Sequence, residues 1–303
     1  YSMYDTIKKA AAAFGFAEAF FLAPLKLDFW RIQAEKWGVG ASLHFDPAMA
    51  YPHAGCILLL VYPYAPFAAE ERLSAYYLAS QRGYFATKSL SKQLQALGIS
   101  CEMASVPARA LALANGVGIA GKNGILRIGA LGSRFALYTL ALTGCAPRVA
   151  VPATAPCPPG CNACMQACPM GAIEKDGLHV TRCMRYFMDK AEYPFFVYEV
   201  LPTHMGCELC QAACPKNALL ARGTPTAEAR AAFSLPRLIA GDSAAARTLV
   251  GRNFTGNGKL TAEAVSFAAR AGVYEAEIRA AMENTPFPAV RRVAEWAVSR
   301  YFS

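Results

Sequence analysis

The spacing of apolar and polar residues predicts alternating helices and strands in the first half of the chain. Apolar residues recur at helical spacing from Met3 to Phe14 and from Leu27 to Trp37, with a short apolar strand from Ala17 to Leu22 between them. The run from Cys56 to Tyr62 is continuously apolar and precedes Pro63, which is typical of a strand buried on both faces. Since helix and strand alternate, we predict an α/β core.

The same pattern continues up to a proline-rich boundary near residue 150. It predicts one long helix from Glu70 to Leu97, strands at Ser100 to Met103 and Arg134 to Leu142, and a helix from Arg109 to Asn115. Because prolines then recur from 147 to 159, we place the core at 1–150, a cysteine-rich domain at 151–222 and a helical domain at 223–303. The last domain shows the pattern of a small helical repeat, with helices at Ala262–Ala271, Glu275–Glu283 and Pro288–Tyr301.

Eight of the 11 cysteines lie between residues 157 and 214, in an ordered spacing. They form the run Cys-x3-Cys-x2-Cys-x3-Cys-Pro, one isolated cysteine, and the run Cys-x2-Cys-x3-Cys-Pro. In bacterial two-cluster ferredoxins, the cysteine before proline binds the cluster of the other run. This rule predicts two complete sets of 4Fe–4S ligands. The first tetrad is Cys157, Cys161, Cys164 and Cys214, and the second tetrad is Cys168, Cys183, Cys207 and Cys210.

Two other uses of the cysteines compete with this interpretation. Disulfides would need an oxidising compartment and are most common in short secreted chains. Structural zinc suits Cys-x2-Cys pairs, but runs that end in Cys-x3-Cys-Pro have iron–sulfur spacing. The remaining cysteines, Cys56, Cys101 and Cys145, lie in apolar segments, so we predict that they are small buried hydrophobic residues.

The composition indicates a globular protein, with 55% hydrophobic and 17% charged residues among 303. No apolar run approaches the length of a membrane span. We expect a cytoplasmic location, because thiolate-bound clusters persist in a reducing compartment. The net charge of +9 is compatible with an anionic partner such as a nucleic acid, but Lys and Arg are spread along the chain and equally fit an ordinary solvated surface.

A glycine-rich loop follows the helix that is predicted at Arg109 to Asn115. Its sequence, residues 116–124, contains four glycines in nine residues. Glycines allow bare backbone to approach a flat or anionic ligand closely. The spacing matches neither the dinucleotide-binding nor the P-loop pattern, so the loop alone identifies no ligand.

The order of these pieces resembles the epoxyqueuosine reductases, cobalamin-dependent iron–sulfur enzymes that complete the queuosine base in tRNA and are related to reductive dehalogenases. The match extends over nearly the whole chain. The loop joined to the segment that precedes it is the most specific part. The residues that carry the resemblance are Asp46-Pro47, Pro52 to Ile57, Ser105 to Arg109, Asn115 to Gly118, Gly121 to Asn123, both cysteine runs with Arg182-Cys183, Gly251 to Phe254, and Val290 to Tyr301.

The resemblance implies an α+β protein in which a nitroreductase-like α/β core binds base-off cobalamin, a ferredoxin-like double-cluster module supplies electrons, and a short HEAT-like helical cap follows. It implies that Glu102 is the catalytic acid, since Glu102 stands where the family has an Asp. It implies tRNA and a low-potential ferredoxin or flavodoxin as partners of a monomer. The implied cobalamin-binding residues are Arg109, Gly116, Gly118, Gly121, Lys122 and Asn123.

Several residues depart from the family pattern. Ile119 replaces a usual Trp, Phe85 replaces a His, and Cys157 is displaced by one position. These departures keep two alternatives open: a corrinoid-dependent reductase or dehalogenase that acts on a small molecule, and an electron-transfer protein that activates a corrinoid. Glu102 could also be a surface carboxylate, and Arg109 and Lys122 could be ordinary solvated cations.

Other polar and aromatic residues receive smaller roles. We predict that His204 is a loop residue rather than a ligand, because eight cysteines complete both clusters. The aromatic residues of the long helix are predicted to be core or pocket wall; they are Tyr76, Tyr77, Tyr84 and Phe85. If tRNA binds, basic residues of the C-terminal region are expected to contact its phosphates, namely Arg252, Lys259, Arg291 and Arg292.

Overall fold

The computed structural model describes residues 2–149, 153–252 and 255–303. The predicted boundary at 150/151 and two residues of the predicted linker, Asn253 and Phe254, lie outside the described residues. The first region contains five α-helices and six strands: α1 Met3–Ala13, β1 Glu18–Leu22, α2 Asp28–Trp37, α3 Pro47–Ala50, β2 Ala54–Pro63, α4 Ala75–Ala96, β3 Cys101–Met103, α5 Ala108–Ala114, β4 Ile119–Ala120, β5 Leu126–Arg127 and β6 Phe135–Thr143.

Four of these strands form the central sheet, in the order β1-β2-β6-β3. Each neighbouring pair is antiparallel, with Leu22 opposite Ile57 and Pro63 opposite Phe135 at the ends of the two long pairings. The alternation of helix and strand had predicted an α/β core. Because the described strands pair antiparallel, this region is α+β rather than α/β. This agrees with the α+β fold that the family resemblance implies.

Strand β2 is buried on both faces, as its apolar sequence predicted. Its even-numbered leucines pack with α1 and α4, whereas Ile57 and Leu59 pack with α5 and Leu27 on the opposite face. Ile57 to Val61 are fully buried. Burying each such side chain contributes about 1.5–3 kcal/mol, so this strand anchors the region.

Helix α4 begins later than the sequence predicted. Ala69–Glu71 form a 3₁₀ turn, and Arg72 has a left-handed backbone with φ of 52°, so the helix starts at Ala75 rather than Glu70. Gly83 gives the ring of Tyr138 room to pack against the helix, where its hydroxyl donates to the carbonyl of Ser80 at 2.5 Å. The one glycine in α4 therefore admits a side chain from the sheet.

The cysteine-rich region has short elements between its cysteine loops. Residues 157–217 contain two small helices, each of which begins inside a Cys-x2-Cys pair and includes its second cysteine. They also contain a two-stranded hairpin and a segment that joins the two cysteine runs. The elements are α6 Ala163–Gln166, β7 Ile173–Glu174, β8 Gly177–Leu178, α7 Met184–Phe187, α8 Phe195–Val200 and α9 Leu209–Ala212.

Six helices make up the C-terminal region: α10 Ala227–Ala232, α11 Leu235–Ile239, α12 Ala244–Val250, α13 Lys259–Arg270, α14 Glu275–Asn284 and α15 Pro288–Tyr301. The residues of α13 from Lys259 to Ala269 are all buried. One hydrophobic cluster joins this region to α4 and to residues 184–205, so it crosses both predicted domain boundaries. No helix in the described ranges is both long and apolar enough to cross a membrane.

Candidate iron–sulfur and cofactor site

The structure brings the first tetrad together near the surface. Burial raises the pKa of the Cys164 thiol, and the neighbouring Cys157, Cys161 and Cys214 raise it further. Several residues beside this tetrad are exposed, including Gly160 and Asn162. Four thiols that repel one another when ionised need a bound cation to remain thiolates, which is what an iron–sulfur cluster provides.

The second tetrad lines a partly enclosed cavity of about 270 Å³. Burial raises the pKa of Cys207 to about 11 and that of Cys210 to about 12, and the other thiols of the group contribute to both shifts. Cys183 also has a raised pKa from burial, with Cys168 contributing. The two groups of four are those that the spacing predicts. All of these cysteines are free thiols.

The glycine-rich loop connects the core to both tetrads. Lys122 Nζ donates to the carbonyl of Cys161 at 2.7 Å, and the Asn123 side chain hydrogen-bonds the thiol of Cys210. Arg127, which follows the loop, places Nη2 3.8 Å from Sγ of Cys157. The hairpin of β4 and β5 therefore touches both tetrads.

The glycines of this loop have a structural reason of their own. A Cβ on Gly118, whose φ is 72°, would collide with the carbonyl oxygen of Arg127 across the hairpin. A Cβ on Gly121 would lie 2.8 Å from Oδ1 of Asn123. Gly118 therefore keeps the hairpin narrow, Gly121 leaves room for the Asn123 side chain, and Gly116 has a left-handed φ of 76°. Their contact with a cofactor stays a prediction.

The largest cavity near the module, of about 900 Å³, lies between the core and the β7–β8 hairpin. Aromatic side chains of α2 and of the following segment form one wall, namely Phe29, Trp30, Trp37 and Phe45. The segment from Val106 to Ala110 forms another, and Gly124 and the turn from Asp176 to Thr181 close the side toward the cysteines.

Arg109 is the one predicted cobalamin residue that lines this cavity. Its guanidinium carbon lies 5.5 Å from the centre of the Trp30 ring, and its buried Nε has no hydrogen-bond partner among the described residues. Burial lowers the pKa of Arg109. A buried donor without an acceptor is costly, so Nε of Arg109 is available to donate to a bound ligand.

Glu102 lies on β3, the edge strand, opposite Ala141 of β6. Its side chain is exposed and does not line the 900 Å³ cavity. The strand leads directly into the segment that does line it. The catalytic role of Glu102 stays a prediction.

The structure corrects two groups of expectations. Tyr76 and Tyr77 line the cavity of the second tetrad, but Tyr84 and Phe85 are exposed rather than core residues. Lys259, expected to contact RNA, is buried and donates to the carbonyl of Met188 at 2.9 Å. The pattern of apolar and polar residues along one helix cannot reveal a cation that is buried by contacts with a distant segment, here Met188 and Tyr193.

Two further basic residues that were expected to contact RNA are engaged within the chain. Arg292 forms a bidentate ion pair with Glu192. Arg291 donates to the carbonyl oxygens of Met282 and Thr285. Arg252 is exposed.

Sequence reasoning missed the aromatic wall and the arginines beside the cysteines. Phe29 and Trp30 look like ordinary amphipathic-helix residues, although Phe29 is 63% exposed. Arg185 follows Cys183 closely, lines the second cavity and lies 4.9 Å from the centre of the Tyr77 ring. His204, predicted to be no ligand, is buried and its Nδ1 donates to Glu263 at 3.1 Å.

Comparison with known proteins identifies the module and the fold. Residues 157–217 match the 4Fe–4S double cluster binding domain family. This match favours the iron–sulfur prediction over the disulfide and zinc interpretations. The search of curated proteins finds no match.

Solved structures of epoxyqueuosine reductases match almost the whole chain. The enzyme from Streptococcus thermophilus has a TM-score of 0.80 at 18% identity, over 99% of this chain and 90% of that one. The enzyme from Bacillus subtilis, with its catalytic aspartate loop swung out of the active site, has a TM-score of 0.77 at 20% identity, over 98% and 89%. A third, with an epoxyqueuosine-modified tRNA-Tyr stem loop, has a TM-score of 0.78 at 18% identity, over 99% and 90%. At these identities the matches establish the fold, and the predicted fold class is confirmed.

Proposed function

We propose that the protein is an epoxyqueuosine reductase-like enzyme that uses cobalamin and two 4Fe–4S clusters to reduce epoxyqueuosine in tRNA. The observation that carries the proposal is the β4–β5 hairpin, which touches both cysteine tetrads and borders the 900 Å³ cavity through Gly124. The proposed electron carriers and the proposed reaction cavity therefore adjoin one short segment. The solved relative with a modified tRNA stem loop supports this choice of substrate.

The cavity has the character of a site for a large, flat cofactor. Its aromatic wall offers flat apolar surface, and Arg109 offers the buried Nε that lacks an acceptor. Trp30 lies against the Arg109 guanidinium and orients it. Cobalamin bound here would supply the reducing cobalt centre, and the protein would supply position, shielding and a proton.

Removing an epoxide oxygen consumes two electrons and two protons, and releases water. We propose Glu102 as the proton donor, because β3 places it next to the segment from Ala104 to Arg109, part of which lines the cavity. A bound substrate would have to cover this exposed carboxylate. A ferredoxin or flavodoxin, in a cytoplasmic setting, would supply the electrons.

A second candidate is a corrinoid-dependent reductase that acts on a small molecule. This candidate is favoured because basic residues of the C-terminal region are already engaged in contacts within the chain, namely Lys259, Arg291 and Arg292. Fewer free cations remain there to bind phosphates than the sequence predicted.

The proposal is tested by loading the anaerobically purified protein with cobalamin, quantifying iron and cobalt, and assaying two substrates. We expect about eight irons per chain, since each cluster holds four, and stoichiometric cobalt. Mass spectrometry should detect queuosine in a tRNA stem loop that carried epoxyqueuosine. Cobalt uptake without turnover of the stem loop would favour the small-molecule candidate, and failure to retain cobalamin would contradict both.

The role of Glu102 has its own test. Replacing Glu102 by Gln removes the proton but keeps the shape, so turnover should fall by about 10²–10⁴-fold while iron and cobalt contents stay unchanged. Glu70→Gln, at an exposed carboxylate outside the cavity, is the matched control. Equal turnover in the two variants would show that the proton comes from another group.

A further inference from the structure

Arg127 is a buried arginine whose side chain, among the described residues, hydrogen-bonds one group, a cysteine of the first tetrad. Its side chain is 3% exposed, and Nη2 donates to Sγ of Cys157 at 3.8 Å. Its buried Nε has no partner, and no carboxylate among the described residues lies within ion-pair distance. By contrast, Arg134 is equally buried but pairs with Glu208 at 2.5 Å. Arg127 is thus a buried cation that is positioned to pair with negative charge at Cys157.

The hairpin holds the Arg127 side chain in this place. Arg127 pairs with Ile119 across β4 and β5. Gly121 has no side chain, and a Cβ at this position would lie 3.7 Å from Nε of Arg127. The Arg127 side chain extends from the core to Cys157, the cysteine that is displaced by one position from the family spacing. The contact therefore joins the core to the most unusual ligand of the module.

We propose that Arg127 raises the reduction potential of the 4Fe–4S cluster that the first tetrad binds. The inference rests on the proposed function, because it requires a cluster at these cysteines. One-electron reduction by a low-potential donor breaks no bond, and it makes the cluster and its thiolates one charge more negative. A buried cation and its N–H beside a thiolate stabilise that added charge, since hydrogen bonds to sulfur and local charge set cluster potentials.

The experiment is an anaerobic redox titration of the cluster-loaded chain, followed by electron paramagnetic resonance. Arg127→Gln removes the charge, and Arg127→Lys keeps a charge on a shorter, non-planar group. Lys216→Gln is the matched control, because it removes one positive charge two residues after Cys214, but from an exposed side chain that solvent screens. Iron is quantified for every variant.

In Arg127→Gln, the equilibrium constant for reducing the first cluster should fall by about tenfold, which corresponds to about 59 mV for a one-electron couple. The second cluster should be unchanged, and Arg127→Lys should lie between Gln and the wild type. An unchanged potential in Arg127→Gln, or an equal shift in Lys216→Gln, would overturn the proposal.

If Arg127→Gln does not assemble its first cluster, Arg127→Lys decides the matter. A lowered first-cluster potential in the Lys variant supports the proposal, and an unchanged one overturns it. The wild-type iron content separates this result from the proposed function itself. About eight irons with an Arg127-independent potential would leave the clusters in place and remove only the role of Arg127.

Discussion

The two cysteine tetrads have the same ligands but different surroundings. The first lies beside exposed residues and contacts the core through Lys122 and Arg127. The second lies in a partly enclosed cavity whose walls come from α4, the glycine-rich loop and residues 183–185. Several residues next to its cysteines are buried, among them Met184 and Gly206, although Pro169 and Arg182 are exposed. The same sequence motif therefore produces one more open and one more enclosed site, and we call the second the enclosed site.

The enclosed site depends on a region outside the module. Glu263 of α13 is fully buried and accepts hydrogen bonds from Tyr193 Oη at 3.0 Å, and from His204 Nδ1 and Met205 N at 3.1 Å. Met205 has a left-handed φ of 59° and lies two residues before Cys207. The C-terminal helices thus hold the loop that carries a ligand of the second tetrad, whereas the described contacts that hold the first tetrad come from Lys122 and Arg127 of the core.

Replacing one cysteine of each tetrad should give the largest difference. Cys183→Ser should remove the second cluster and leave about four irons, because the first tetrad is complete without it. Cys161→Ser should remove the first cluster and leave the same number. Iron analysis with electron paramagnetic resonance should show two distinct residual signals. A variant that loses all iron would show that the two sites do not assemble independently.

Glu263 should affect only the enclosed site. In Glu263→Ala the N–H of Met205 and Nδ1 of His204 lose their acceptor, and removing one member of such a buried network costs about 3–5 kcal/mol. Denaturant unfolding should show this loss, and iron analysis should show selective depletion of the second cluster. Glu263→Gln keeps an acceptor and should be milder. Equal depletion of both clusters would break the comparison.

Exposure to air should distinguish the sites by rate. Since the residues beside the first tetrad are exposed, its cluster should bleach first and give two phases of absorbance loss. The Cys161→Ser variant, which lacks that cluster, should show only the slow phase. A single phase in the wild type would mean that the cavity walls do not shield the second cluster.

Much of this comparison was predictable from sequence. Cysteine spacing, together with the rule that the cysteine before proline joins the other run, predicted the two groups of four that the structure brings together. Strand β2 was predicted to be buried on both faces from its apolar sequence, and the structure confirms it. The antiparallel pairing was not predictable, since it depends on which strands meet across long separations.

The surroundings of the tetrads were also beyond local patterns. Arg127 and Lys259 are cations in apolar contexts, and only the packing of distant elements shows that both are buried. The 900 Å³ cavity combines the aromatic wall of α2 and Phe45 with segments that lie about 70 and 140 residues further along the chain. Sequence patterns report periodicity along one element, whereas such cavities form between elements.

The smallest predicted effect is a pH dependence that belongs to the enclosed site of the metal-free protein. Burial raises the pKa of Cys207 to about 11 and that of Cys210 to about 12. Above the ordinary thiol pKa of about 8.5, the unfolded chain releases protons that the folded chain still binds. Stability is therefore fully present below that pH and falls as the pH rises toward the pKa values of the folded chain, by about 1 kcal/mol per thiol and pH unit.

The melting temperature of the metal-free protein should decrease between about pH 8.5, the ordinary thiol pKa, and about pH 10. A Cys207→Ser/Cys210→Ser variant should decrease less, because serine does not titrate. Cluster-loaded protein, whose thiolates are already deprotonated, should also decrease less. Parallel pH profiles for all three would show that these two thiols are not desolvated in the folded chain.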